Sequence, residues 1–425
     1  MKAKIYPIKD IKKEVYVPAS PFCLHIEIIC ASLAKGNSVI KNLVRSKDID
    51  TTIEWCKQIG ATIKEIDGAL YIKGINKEIQ YNNSLFVCGD SSVTAMLMIP
   101  VICCDSQQPF GIKASKRVVE ELASYSYLYD QYKIEYAVEE EVIRFEKKLS
   151  PIDVEVDGDI DIHISAGLLI SLPLLKGDSN YRLRAPVRSE KTYSTILKII
   201  KNFGIDIKHP SSMRYEIPGN QRYYGKKIVT EQDTFALSHL LVLAKNLKEK
   251  ESLKLLNCQR YSSMDDNRLL DLVKKHIVDY KDYFFRQRVK NKEQIYVKLE
   301  ATVENSLPLL MVLGSLNCSD TIITKVDFYK QRVNEQYNIM KAIFKKLGIE
   351  TKEYDSEIVI SPAVVTNKCQ VDCKNNPYVA LAIIFLALLS KAPIVIRNVD
   401  RIFYIYADAF NNIKDLGAKI EFIHD

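Results

Sequence analysis

One arrangement of apolar and polar positions keeps returning along this chain. In its first occurrence Ser20-Pro21 opens a run from Phe22 to Leu33 that is apolar almost all round, Lys35-Gly36-Asn37 breaks it, and Ser38-Val39-Ile40 begins a β-rich stretch. A polar residue before such a run reads as a capped, buried helix, and a Gly turn followed by β-branched residues reads as a turn into a strand. Polar starts of apolar runs recur at Ser20, Ser92, Ser165, Thr234, Ser306 and Asn376, at spacings of 72, 73, 69, 72 and 70 residues. Self-similarity at a fixed spacing marks a repeat architecture, and six copies are expected.

A second landmark has the same period: a helix end runs into glycine and then into alternating residues around Gly60, Gly204, Gly348 and Gly417, with Gly-to-Gly distances of 144, 144 and 69. Glycine there supplies the left-handed conformation that ends a helix cheaply. The two copies without that glycine should centre near positions 132 and 276, where Tyr132-Lys133-Ile134 and His276-Ile277-Val278 keep the strand and lack the glycine. A different cap is expected at those places, not a missing helix. Each copy thus reads as a buried helix, a strand, a more amphipathic helix and a β-hairpin, a β-α-β-α-β-β unit whose parallel strands are joined through helices. The 425 residues exceed the length at which single cores stop growing, so two domains of three copies each are expected.

Composition narrows the function classes. Hydrophobic residues at 47% and charged residues at 27% are ordinary globular values and exclude a disordered or fibrous chain. The net charge of +7 comes from 60 basic and 53 acidic residues spread along the whole length. Phosphate backbones are bound by clustered cations, so no nucleic-acid partner is expected. Ten cysteines without a charged and apolar leader at the start suggest reduced thiols and a cytoplasmic location, and the absence of a C-x-x-C pair argues against a metal site. The longest apolar run, Tyr378 to Leu389, falls short of the ~20 residues that span a bilayer and reads as a buried helix, so no membrane association is expected.

Three segments carry a resemblance. Val17-Pro18-Ala19-Ser20 with its helix and Lys35-Gly36-Asn37-Ser38 is similar to a V-P-G-S-K-S opening; Ser189-Glu190-Lys191-Thr192-Tyr193 through Phe203-Gly204 is similar to an S-K-P-Y…F-G segment; and Asn305-Ser306-Leu307-Pro308 is similar to D-x-x-P. Together they resemble the EPSP synthase (3-phosphoshikimate 1-carboxyvinyltransferase) family of enolpyruvyl transferases over nearly the whole chain. The resemblance implies a two-domain, inside-out α/β barrel fold of six β-α-β-α-β-β repeats. It assigns residues 1–19 and 230–425 to one domain and 20–229 to the other, with a site in the interdomain cleft that takes a small anionic or phosphorylated ligand. The family reaction moves the enolpyruvyl group of phosphoenolpyruvate onto a hydroxyl of shikimate 3-phosphate. It needs cations for phosphates and a carboxylate, an acid and a base.

Carried over position by position, few of those groups survive. The family's opening lysine falls on Pro21 and its arginine on Ile26, neither of which can neutralise a phosphate. The G-N-x-G-T-x-x-R cradle becomes Gly89-Asp90-Ser91-Ser92-Val93-Thr94-Ala95-Met96, the S-S-Q triplet falls on Asp161-Ile162-His163, and the D-x-x-P aspartate is Asn305. A further arginine falls on Tyr378 and a late lysine on Tyr404. Ser20, Asp48, Lys113, Arg117, Ser189 and Arg332 remain as candidate ligand-binding residues. Glu335 and His163 are the candidate catalytic residues; one register places the family's K-E pair on Arg332-Val333, another keeps its glutamate at Glu335. His239 is a candidate acid/base group by residue type alone. No cofactor and no metal are expected, and the chain is expected to be a monomer. The function expected is an EPSP-synthase-like protein that has lost the standard reaction and binds a different anionic ligand or partner. The alternative is an enolpyruvyl transferase acting on shikimate 3-phosphate or a re-specified hydroxyl acceptor.

Overall fold

The computed structural model describes residues 1–11, 14–75, 79–105, 108–146, 149–158, 160–185, 187, 190–244, 253–257, 278–281, 284–287, 295–299, 305–328, 331–406 and 408–423. Among them are six four-stranded sheets, which agrees with six repeats. The described residues fall into two compact units, one of residues 1–18 and 232–423, the other of residues 19–231.

The sheet of the third repeat shows the common plan. Strands Asp153–Asp157 and Ser179–Arg184 run parallel, joined through a buried helix, and Ser179–Arg184 pairs antiparallel with Arg214–Ile217, which forms a hairpin with Lys208–Ser211. The sheets containing Phe110–Ala114 and Thr321–Thr324 repeat this order. The other three borrow a strand from elsewhere in the chain. Lys227–Val229 pairs parallel with Asn37–Lys41, Glu14–Tyr16 pairs parallel with Leu253–Leu256, and Lys2–Ile5 lies between Ile394–Arg397 and Ile420–Ile423. Each borrowed strand closes a sheet within its own unit, because an edge without it would leave a row of backbone groups unpaired.

The helices of the unit 19–231 are α1 (Pro21–Leu33), α2 (Lys47–Gln58), α3 (Ser92–Asp105), α4 (Lys116–Ala123), α5 (Ser126–Gln131) and α6 (Ile162–Ser171), followed by Glu190–Asn202. The first helix of each repeat is the buried one, as its unbroken apolar run requires: α1 is buried from Cys23 to Leu33 and α6 from Ile164 to Ser171. In the other unit, Thr234–Ala244, Leu307–Ser315 and Pro377–Leu388 are buried in the same way. No described helix is long and apolar enough to cross a membrane.

The glycine landmark is a conformational one. Gly60, Gly204, Gly348 and Gly417 all have positive φ, from 74° to 110°. In the second repeat Lys133 takes that conformation at φ 55°, with the Ile134 amide closing back on the Tyr129 carbonyl at 2.9 Å. The different cap is therefore a non-glycine residue held left-handed; position 276 lies outside the described residues. One expected start is displaced. The helix expected at Ser165 begins at Ile162 with Asp161 as its cap, and Ser165 is buried inside it, 2.7 Å from the Tyr181 hydroxyl and 2.9 Å from that of Tyr193. The aspartate outcompetes the serine because its carboxylate reaches an otherwise unpaired amide of the first turn.

Candidate functional site

The candidate residues that the structure brings together lie in the unit 19–231, at the starts of four helices. Pro21 sets the first turn of α1, and Ser20 caps it, its hydroxyl accepting from the Cys23 amide at 3.3 Å. Ser20 is thereby buried and engaged in a structural bond. One turn on, His25 is 3% exposed, with Nδ1 2.7 Å from Thr52 Oγ1 on α2. Asp48 and Thr52 are four apart on α2, and Ser91 and Thr94 are three apart at the start of α3, so each pair shares a face. Thr52 Oγ1 is 2.8 Å from Thr94 Oγ1, Ser91 Oγ donates to Thr94 Oγ1 at 3.0 Å, and Thr94 Oγ1 donates to the Asp48 carbonyl at 3.2 Å. The Ser91 hydroxyl also reaches the Asp48 carboxyl.

From α6, Asp161 Oδ1 accepts from the His163 amide at 2.8 Å and lies 2.8 Å from His163 Nδ1. Phe22 meets the His163 ring edge-on at 5.6 Å. Burial pulls the His163 imidazole down, but Asp161, Asp48 and Glu121 together outweigh it and hold the group above its ordinary value. Burial pushes the Asp48 carboxyl up, aided by Asp90 and opposed by the Ser91 hydroxyl, His163 and Arg117. Burial, with His163 nearby, drives His25 down to about 3, so it stays neutral at any ordinary pH.

Arg117 closes the cluster from α4. Its guanidinium meets Glu121 at 2.9 Å and donates to the Asp90 carbonyl at 2.9 Å. Lys113 is exposed on the strand Phe110–Ala114. Asp48, Arg117 and His163 thus share one electrostatic neighbourhood. Ser189 lies outside the described residues. Arg332 belongs to the helix Gln331–Leu347 in the other unit, and its side chain is likewise outside them. Glu335 is exposed on that helix, while the next residue, Gln336, is buried and donates to Asn305 Oδ1 at 3.3 Å. His239 is a core histidine of the helix Thr234–Ala244, packed against the Phe235 and Phe385 rings and pulled down by burial to about 4.

Sequence reasoning missed His25, Thr52, Ser91 and Thr94 as members of the cluster. The available signal was polar residues at i,i+3 and i,i+4 at the ends of otherwise apolar helix faces. It also missed two buried carboxyls: Glu27, pushed up by burial to about 7 and bonded by the Thr230 hydroxyl at 2.5 Å, and Asp233, pushed up to about 6 while capping Thr234–Ala244.

Comparison with known proteins bears on the whole chain. The 3-phosphoshikimate 1-carboxyvinyltransferase of Clostridium perfringens strain SM101 is 25% identical over 430 residues, covering 98% of this chain and 99% of that protein. The 3-phosphoshikimate 1-carboxyvinyltransferase of Clostridioides difficile strain 630 is 26% identical, covering 98% of each. Among solved structures, the EPSP synthase of Acinetobacter baumannii superposes with a TM-score of 0.81 at 14% identity over 99% of both chains. The enolpyruvyl transferase NikO of Streptomyces tendae gives 0.73 at 12% identity over 99% of this chain and 98% of that one. These structural matches establish a two-domain α/β fold of the EPSP synthase type. The family model for EPSP synthase (3-phosphoshikimate 1-carboxyvinyltransferase) matches residues 5–413, and with six sheets in two units built as that fold requires, the chain belongs to the EPSP synthase family.

Proposed function

We propose that this chain is an EPSP synthase family protein that no longer performs carboxyvinyl transfer from phosphoenolpyruvate to shikimate 3-phosphate, and that it binds a different small anionic ligand. The observation carrying this reading is the burial of Ile26 and Met96. Both stand where the resemblance places family arginines, and both are apolar core side chains, 0% and 2% exposed. A neighbouring cation cannot take over from within that core without a large desolvation cost. Pro21, at the first position of α1, replaces the family lysine and carries no charge. The basic groups of the cluster are Arg117 and His163, and they face Asp48, Asp161 and Glu121. Such a balance suits a ligand with one anionic group and neighbouring donors better than one with two phosphates.

The names of the relatives favour a second reading, that the family transfer persists with shikimate 3-phosphate or another hydroxyl acceptor. One assay separates the two. Purified protein given phosphoenolpyruvate and shikimate 3-phosphate should release no phosphate at enzymatic rates, and turnover of about 1 s⁻¹ or more would overturn the proposal. Inorganic phosphate should raise the melting temperature of the wild type and not of Arg117→Ala, since a ligand stabilises only by binding the folded state.

A further inference from the structure

Strand register collects lysines that the sequence scatters. In the sheet of the first repeat, Val39 of Asn37–Lys41 pairs with Lys227 on one side and with Tyr71 of Ala69–Lys73 on the other, and Tyr71 pairs with Lys64 of Thr62–Ile66. The row Lys227, Val39, Tyr71, Lys64 therefore crosses all four strands, with about 14 Å between the outermost two. Residues two apart on a strand share a face, so Lys41, Lys73, Val229 and Ile66 stand on it as well. Lys41, Lys64, Lys73 and Lys227 are exposed, and so are Tyr71, Val229 and Ile66, at 43%, 53% and 48%. Among the described residues these lysines have no ion pair, and no carboxylate shares their face. Glu65 stands opposite the buried Leu70, on the other face, and meets Arg45 at 2.7 Å; Asp67 lies in the turn beyond the strand ends. The third repeat's sheet is built differently. There Arg182 meets Asp153 at 2.6 Å, Arg184 meets Asp157 at 2.8 Å and Arg214 meets Glu216 at 3.6 Å, so its exposed cations carry their own counter-charges.

We propose that this sheet face docks on the surface of an anionic lipid bilayer. Lysines without counter-charge, set around exposed aliphatic and aromatic side chains, are complementary to a surface that is negative at its headgroups and apolar just beneath. Each lysine is drawn by the negative surface potential, and its long stem lets the ammonium reach a phosphate while the strands lie flat. Tyr71, Val229 and Ile66 supply the apolar area to bury at the boundary of headgroups and acyl chains, where tyrosine is at home. A single-stranded nucleic acid, the other polyanion of this kind, fits the face less well. Bases stack on aromatic planes, and the row offers one tyrosine beside a valine that cannot stack. The cations on it are all lysine, without the planar guanidinium fork that grips phosphates and base edges. No described helix is long and apolar enough to cross a membrane, so the contact is peripheral and salt-sensitive. It uses none of the residues on which the proposed function rests.

The test is cosedimentation of the full chain with vesicles of phosphatidylcholine alone or mixed with phosphatidylserine. The protein should pellet with the mixed vesicles, stay in solution with the neutral ones, and be released as salt is raised. Lys64→Gln combined with Lys227→Gln should lower the partition coefficient about 25-fold, at about fivefold for each lysine. Lys341→Gln combined with Lys352→Gln removes the same charge from exposed lysines that pair with Glu353 and Glu350, and should leave the coefficient nearly unchanged. Trp55 is the one tryptophan of the chain and is buried, so Tyr71→Trp adds a reporter on the face itself. Its emission should shift to the blue on the mixed vesicles and not on the neutral ones. Three results would overturn the proposal: no pelleting of the wild type with phosphatidylserine, an equal loss in both lysine pairs, or a single-stranded RNA oligonucleotide bound more tightly than the vesicles through Lys64 and Lys227. The first reading comes from the unsubstituted protein, so a variant that fails to fold leaves the test intact.

Discussion

Asp161 holds His163 twice: one carboxylate oxygen accepts from the backbone amide at 2.8 Å and lies 2.8 Å from Nδ1 of the ring. The helix cap and the imidazole partner are thus one atom, so a turn of the Asp161 carboxylate would break both bonds. Because the folded state holds His163 above its ordinary 6.5, the pair's contribution to stability is fully present below that pH and is lost as pH rises through the folded value. Asp161→Asn should lower the His163 midpoint in an NMR titration. The melting-temperature gap between wild type and His163→Gln should narrow as the pH is raised from about 6 to about 9.

Glu27 acts in the same direction with pH, but because burial disfavours its charge. Its carboxyl, 4% exposed and bonded by Thr230, moves from 4.5 to about 7 on folding, so the folded state is favoured below 4.5 and loses that advantage as pH rises through 7. By linkage the loss is about 3 kcal/mol. Glu27→Gln keeps the size and a hydrogen-bonding oxygen without the charge. The variant should be the more stable protein at pH 8, and urea titrations at pH 5 and pH 8 should show its stability changing less between them than that of the wild type.

Lys133 sits where four other repeats carry a left-handed glycine. Removing its Cβ should relieve strain of about 1 kcal/mol, so Lys133→Gly is expected to raise the denaturation midpoint. The reverse substitution, Gly348→Ala at φ 74°, has open space around its Cβ and should cost about as much through backbone strain alone.

Gly167 has a different reason to be glycine. A Cβ there would lie 2.6 Å from the Leu97 carbonyl oxygen and 2.9 Å from that of Met96, so α6 packs against the backbone of α3. Gly167→Ala should cost about 1–3 kcal/mol by forcing those helices apart. Thermal denaturation should show the loss, with the His163 resonance displaced because Asp161 and His163 ride on α6.

How much of this was legible in advance depends on how local each cause is. The turns at Gly60, Gly204, Gly348 and Gly417 were readable because glycine tolerates positive φ more cheaply than other residues, and Asn376 was readable as a cap because its side chain bonds the Val379 amide three residues on. Ser165 misled because a hydroxyl before an apolar run looks like a cap; Asp161, four residues earlier, takes that role. His163 and Asp48 stood out through the resemblance. His25, Thr52, Ser91 and Thr94 did not, because hydroxyls on buried helices are ordinarily satisfied within their own turn, as Ser32 is on the Ile28 carbonyl at 2.7 Å.

The sequence by itself determined the repeat, the burial of each first helix and the division into α/β units, since apolar periodicity and glycine conformation act within a few residues and recur with the chain. Only the tertiary structure decided which distant segments complete each sheet and which polar side chains meet. Lys227–Val229 finds Asn37–Lys41 across nearly two hundred positions, and Thr52 finds Thr94 across forty-two. Those pairings depend on how helices and strands stack in space, where a hydrogen bond buried at long range is selected by packing and by the cost of leaving it unmade, and no spacing along the chain records either.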